Sequence, residues 1–112
     1  MAKYETTIAG SFEDIKAFIK KYLPVGSITF SWEEEFNGEI DNRKYWIVAC
    51  ERYAAFGGNR NSLNFTLIED EKDNHLFATS TGGSQGMLLK LNTLSDNNFL
   101  GELISVINNY NN

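Results

Sequence analysis

The hydrophobic positions along the chain change period twice. In SFEDIKAFIKKYLP, residues Phe12, Ile15, Phe18, Ile19, Tyr22 and Leu23 recur at helical spacing, which sets them on one stripe of an amphipathic helix. Ser11 is placed to cap that helix, with Asp14 three residues on, and Pro24 and Gly26 end it. The tail LSDNNFLGELISVINNY repeats the scheme, with Ser95 or Asp96 as the cap and Phe99, Leu100, Leu103, Ile104 and Ile107 as the apolar face. Gly101 weakens this second helix by about 1 kcal/mol relative to alanine, so the helix depends on packing. The Asn-rich end, 108–112, is expected to fray.

Between the two helices the period falls to two. In SITFSWEEEF, Ile28, Phe30, Trp32 and Phe36 share one parity against Thr29, Ser31, Glu33 and Glu35, and in SLNFTLIED, Leu63, Phe65 and Leu67 alternate with Asn64 and Thr66. These apolar parities are expected to face the helices. The same count points Glu34 toward the core side, which requires a bulge or a position beyond the covered part of the sheet. KYWIVACERY does not alternate: it is apolar on both faces, as in a central strand or one whose second face a partner covers. With 4–8, HLFATST and GMLLKLN as further strands, the order is βαβββββα. The residues at 86–92 also fit the start of a helix.

The expected architecture is α+β, a two-layer sandwich with an antiparallel sheet of five to six strands and both helices on one face. A chain of 112 residues, 42% hydrophobic, is long enough for one core and too short for two. It reads as a single domain over 1–112. If the central strands form an antiparallel meander, alternate connections share an end. FGGNRN (56–61) and TGGSQG (81–86) then lie together, with NGEIDN (37–42) and EDEKDN (69–74) at the opposite, acidic end. The last turn of the first helix, with Lys20, Lys21 and Pro24, arrives near the glycine end. Those lysines also suit the helix dipole.

Charge narrows the choice of partner. Fifteen acids against ten bases give a net charge of −5, which opposes affinity for phosphate backbones and anionic lipid. Neither nucleic acid nor a membrane is an expected partner. No segment approaches the roughly 18 uninterrupted apolar residues of a membrane helix, and MAKYETTIAG lacks a signal-peptide pattern, so a cytoplasmic location is expected. Cys50 is the single cysteine and lies in the apolar run WIVAC. It reads as a buried structural thiol, with no disulfide and no cysteine metal cluster.

The chemistry-bearing residues are few. Gly57, Gly58, Asn59, Arg60, Gly82, Gly83, Ser84 and Gln85 could aim backbone N–H groups and side-chain donors at a small polar or anionic ligand, or at a protein partner. Hairpin geometry alone also calls for Gly and Asn where strands reverse. Neither loop matches a P-loop or a dinucleotide fingerprint, and no cofactor is expected. EDEKDNH gathers four acids and His75 without the glycine and spaced oxygens of a calcium loop, so it reads as solvated hairpin charge and no metal is expected. The sole histidine sits in that acidic hairpin, which leaves a catalytic triad without support. An enzyme built on Arg60, Glu51 or Ser84 is the least favoured reading. Tyr45 and Trp46, in the strand apolar on both faces, are the expected interface residues of a homodimer. The alternative function is a helix-grip pocket for an apolar small molecule, lined by Phe30, Trp32, Tyr45, Trp46, Phe65 and Phe77.

ERYAAFGGNRNSLNFTL followed by STGGSQGMLLKLN, framed by a helix on each side, resembles a family of short, functionally uncharacterised Firmicutes proteins classed as a domain of unknown function. Its most specific pieces are Asn59-Arg60-x-Ser62-Leu63 and Gly82-Gly83-x-Gln85-Gly86. The resemblance spans nearly the whole chain. It implies a bacterial, intracellular stand-alone domain and brings no activity, substrate or cofactor.

Overall fold

Ser11 opens the first helix as its spacing predicts. Its hydroxyl accepts the backbone N–H of Asp14 at 3.3 Å, and Glu13 and Asp14 in the first turn oppose Lys20 and Lys21 in the last, the charge order a helix dipole favours. The computed structural model describes residues 2–25, 29–53, 60–82 and 99–112. In chain order these form β1 (Ala2–Ala9), α1 (Phe12–Tyr22), β2 (Ser31–Ile40), β3 (Arg43–Tyr53), β4 (Arg60–Glu69), β5 (Asp73–Gly82) and α2 (Phe99–Asn111). The sheet these strands make has the order β1-β5-β4-β3-β2 and is antiparallel throughout. The fold is the expected α+β sandwich. The possible sixth strand at 86–92 and the caps Ser95 and Asp96 lie outside the described residues.

One core joins both helices to one face of the sheet. Ile15 and Ile19 of α1 and Leu103 and Ile107 of α2 bury against Trp46, Val48, Leu63, Phe65, Leu67 and Leu76, with Phe30 and Trp32 packed at the margin. Cys50 joins them. Its thiol lies 3.5 Å from the Leu63 carbonyl, and burial pushes its pKa up to about 12, which makes it a structural group and not a nucleophile. Contrary to the expected fraying, α2 continues to Asn111. Tyr110 holds its end: the ring stacks edge-on to Phe18 at 5.2 Å and covers Gly10, whose φ of +122° and lack of a side chain admit it. Tyr22, expected on the apolar stripe, is instead exposed and leans on Phe18.

The strand β2 departs from simple alternation. Its pairing with β3 slips between Trp32 and Glu34, so Glu33 is an extra residue and every later side chain changes face. Trp32 keeps its predicted place toward the helices. Phe36 does not: it turns to the outer face and is 58% exposed, while Glu34 also points outward, paired with Ala49, and Glu35 turns inward opposite Val48. The expectations for Phe36, Glu34 and Glu35 are therefore reversed, and the cause is the bulge.

Connections at one end of the sheet are tight. Asp41 and Asn42 both take positive φ, 55° and 68°, the geometry of a two-residue hairpin that matches strand twist. At the next connection the Asp70 N–H bonds the Asp73 carbonyl at 2.8 Å. At the opposite end Asn61 pairs with Gly82, so the start of β4 and the end of β5 lie side by side at one end of the sheet, as the meander predicts.

Candidate functional site

The two expected interface residues separate at once. Neighbours on a strand point to opposite faces, and Trp46, paired with Leu67, lies wholly buried against the helices, while Tyr45, paired with Ile68, lies on the outer face. A surface role remains open to Tyr45 and not to Trp46. The Tyr45 ring lies over Gly38 so closely that a Cβ there would sit 2.3 Å from its hydroxyl. Glycine at 38 is what lets the ring lie flat across β2.

Around Tyr45 the outer face carries an apolar stripe. Phe36, Ile40, Ile47, Ile68 and Phe77 are between 36% and 66% exposed, although solvent-facing strand positions usually alternate to polar residues. Registers place Phe36, Ile47, Thr66 and Phe77 side by side across four strands, with Tyr45 and Ile68 in the next row. Shallow depressions follow the stripe, floored by Ala49, Asn64 and Thr66 between the larger side chains. Charge of both signs rims it: Lys3, Glu5 and Glu34 on the edge strands, and Glu51 bound to Arg60 at the glycine end.

The eight residues proposed for a ligand at the glycine end divide. Gly57, Gly58, Asn59, Gly83, Ser84 and Gln85 lie outside the described residues. Gly82 ends β5. Arg60 begins β4, and its Nε donates to Glu51 Oε1 at 2.9 Å; an anion there would have to compete with that carboxylate. On the helix-facing side of the same end a second arginine appears that the sequence did not single out. Arg52, buried, sends Nη1 to Glu102 Oε2 at 2.6 Å and lies 4.6 Å over the Phe99 ring, tying β3 to the first turn of α2.

At the acidic end the carboxylate of Asp70 is ion-paired. Asp70 meets Arg43 at 3.1 Å and His75 at 3.2 Å, and the Glu71 N–H, then His75, then Arg43 hold its carboxyl below the usual carboxylate range. Lys44 joins Glu13 across the sheet-to-helix gap at 3.1 Å. Among the described residues no three His, Cys, Asp or Glu side chains gather as a metal site. The aromatics of the helix-grip reading are likewise split. Phe30, Trp32, Trp46 and Phe65 pack as a chain of edge-to-face and tilted rings on the helix side, with Trp46 and Phe65 5.2 Å apart, whereas Tyr45 and Phe77 are on the other face.

Glu35, turned inward by the bulge, holds the margin of that aromatic cluster. Its Oε1 accepts the buried Trp46 indole N–H at 2.9 Å, and both oxygens accept from Lys20 at 3.0 Å. The indole bond, opposed by partial burial and reinforced by Lys20, holds the Glu35 carboxyl below its ordinary range. Because the folded-state pKa is depressed, this contribution is present above the unfolded value of about 4.3 and is lost as pH falls through the lowered one. Glu35→Ala, which leaves the indole N–H without its acceptor, is expected to cost about 1–3 kcal/mol at neutral pH. The deficit relative to wild type should shrink in thermal melts taken down toward pH 3. A constant deficit across that range would remove the carboxylate from the account.

The sequence model of a protein family described as a family of unknown function (DUF6054) matches residues 1–111. No curated protein matches the chain. Among the described residues no helix is long and apolar enough to cross a membrane.

Proposed function

We propose, for a chain that belongs to the family of unknown function DUF6054, a non-enzymatic interaction domain that associates with itself through the outer face of its sheet. The observation that carries this reading is the stripe of Phe36, Ile40, Ile47, Ile68 and Phe77, exposed on a face that neither helix covers. Exposed apolar surface of this extent is costly in water and marks interaction sites. The rim supports a protein partner over a small apolar molecule, because a polar border around an apolar centre is the anatomy of a protein interface. Its mixed charge suits a second copy, which would meet this surface with both signs available.

The test is size-exclusion chromatography with light scattering on wild type and Ile47→Asp. Ile47 is 40% exposed and sits mid-stripe, so its replacement should leave the monomer folded and weaken association about thirtyfold or more, the scale of a central apolar contact. Unchanged association in Ile47→Asp would place the contact elsewhere.

A further inference from the structure

The strand registers order the outer face into rows that run from β1 to β2. One row is Lys3, Thr79, Asn64, Ala49 and Glu34, and the next is Glu5, Phe77, Thr66, Ile47 and Phe36. The first carries a cation at one edge of the sheet and an anion at the other. β4 runs down the centre.

Two identical sheets meeting face to face keep their strands within about 30° of each other, and a closed pair of this kind has a two-fold axis. That axis lies in the interface, either along the strands or across them. An axis across the strands lays one end of the face on the other. The stripe lies toward the Asp41–Asn42 turn, with Ile40 and Ile68 beside the Arg43–Asp70 ion pair, while the far end carries the Glu51–Arg60 ion pair and Tyr53. Each edge strand would then meet its own copy, so Lys3 and Glu34 would lose water without meeting each other. An axis along the strands keeps each row opposite itself and exchanges the edges. Lys3 then faces Glu34 of the second copy, twice by symmetry, Phe77 faces Ile47 of the second copy, and Glu5, at the rim, faces Phe36. Strands of ten residues and a five-stranded width give a face of about 33 by 24 Å from strand rise and spacing, or roughly 800 Å² on each copy, the size of a standard stable interface.

We infer that the two-fold axis of the self-associated form runs along the strands, through β4, so that Lys3 of each copy pairs with Glu34 of the other. This rests on the outer face being the self-association surface. Both side chains are exposed on the edge strands, so exchanging their charges leaves the monomer fold intact, which circular dichroism verifies.

The experiment compares association of wild type, Lys3→Glu, Glu34→Lys, an equimolar mixture of those two, and the variant carrying both, by sedimentation at low ionic strength. Each single variant sets two like-charge pairs in the interface and should associate about tenfold or more weakly. The mixture forms a heterodimer with both pairs opposite in sign, and the double variant restores them in one chain, so both should recover wild-type strength. Glu34→Lys is the sharpest arm. It lowers the magnitude of the net charge of −5 and would strengthen association if only overall repulsion mattered. A wild type that dimerises while the single variants hold equally tightly, or while the mixture gains nothing over them, overturns the axis and leaves the outer-face reading standing. A monomeric wild type removes the outer-face reading and the axis with it.

Discussion

Phe65→Ala is expected to lower stability by about 3–5 kcal/mol, as large aromatic truncations in well-packed cores do. Phe65 is 1% exposed on β4, the central strand, with its ring 5.2 Å from Trp46 and edge-on to it. Helices pack above it on one side and neighbouring strands hold it on both others, so little can move in to fill the space. A loss of that size corresponds to a fall in melting temperature of roughly 10–30 °C for a domain of this length. Phe77 provides the internal comparison. It lies one strand away, paired with Thr66, and is 42% exposed on the other face, so Phe77→Ala, measured on dilute monomer, should cost under about 1 kcal/mol. Equal losses at the two positions would mean the faces of the sheet had been assigned wrongly.

Asn74→Asp is expected to be comparably damaging through a different force. Asn74 is 1% exposed, and its amide nitrogen donates to the carbonyls of Ile8 at 3.1 Å and Gly10 at 2.9 Å. It fastens the start of β5 to the chain that leaves β1 and turns into α1. A carboxylate in the same volume would present oxygen to oxygen at both carbonyls, and an uncompensated buried charge costs about 3–5 kcal/mol. The new carboxyl would bind its proton more tightly folded than unfolded. Its folded-state pKa is raised, so stability is best retained below the unfolded value of about 3.9 and is lost as pH rises through the raised one. Urea midpoints of the variant and wild type should accordingly converge toward pH 4 and separate toward pH 7. Equal midpoints at pH 7 would show that Asn74 is not the clamp.

What the sequence made legible follows the length of the interactions. Helix caps and two-residue periods are local, and Ser11, the α1 stripe apart from Tyr22, and the Leu63-Phe65-Leu67 parity stand where pattern places them. Family membership was equally legible, since the resemblance and the family match coincide. The bulge at Glu33 was not, because an inserted residue changes pairing without changing composition; its one trace was a glutamate counted onto the core parity. Phe36 was consequently given to the core and the outer stripe lost its central ring. In KYWIVACERY both parities are apolar, so only pairing with Leu67 distinguishes Trp46 as the inner residue. Asn74 was hidden for a further reason: it bonds residues 64 and 66 positions away, and nothing in an acidic hairpin marks one asparagine as buried.

Hydroxyl-radical footprinting across a concentration series shows whether a second copy covers the outer face of the sheet. Phe36 and Phe77 on that face should lose reactivity together as concentration rises and the mass goes to twice the 12.7 kDa of one chain. Tyr22 and Val25, 41% and 65% exposed beyond the sheet, should react at a constant rate. Constant reactivity at Phe36 and Phe77, at concentrations where the mass has doubled or where it never does, would contradict the account.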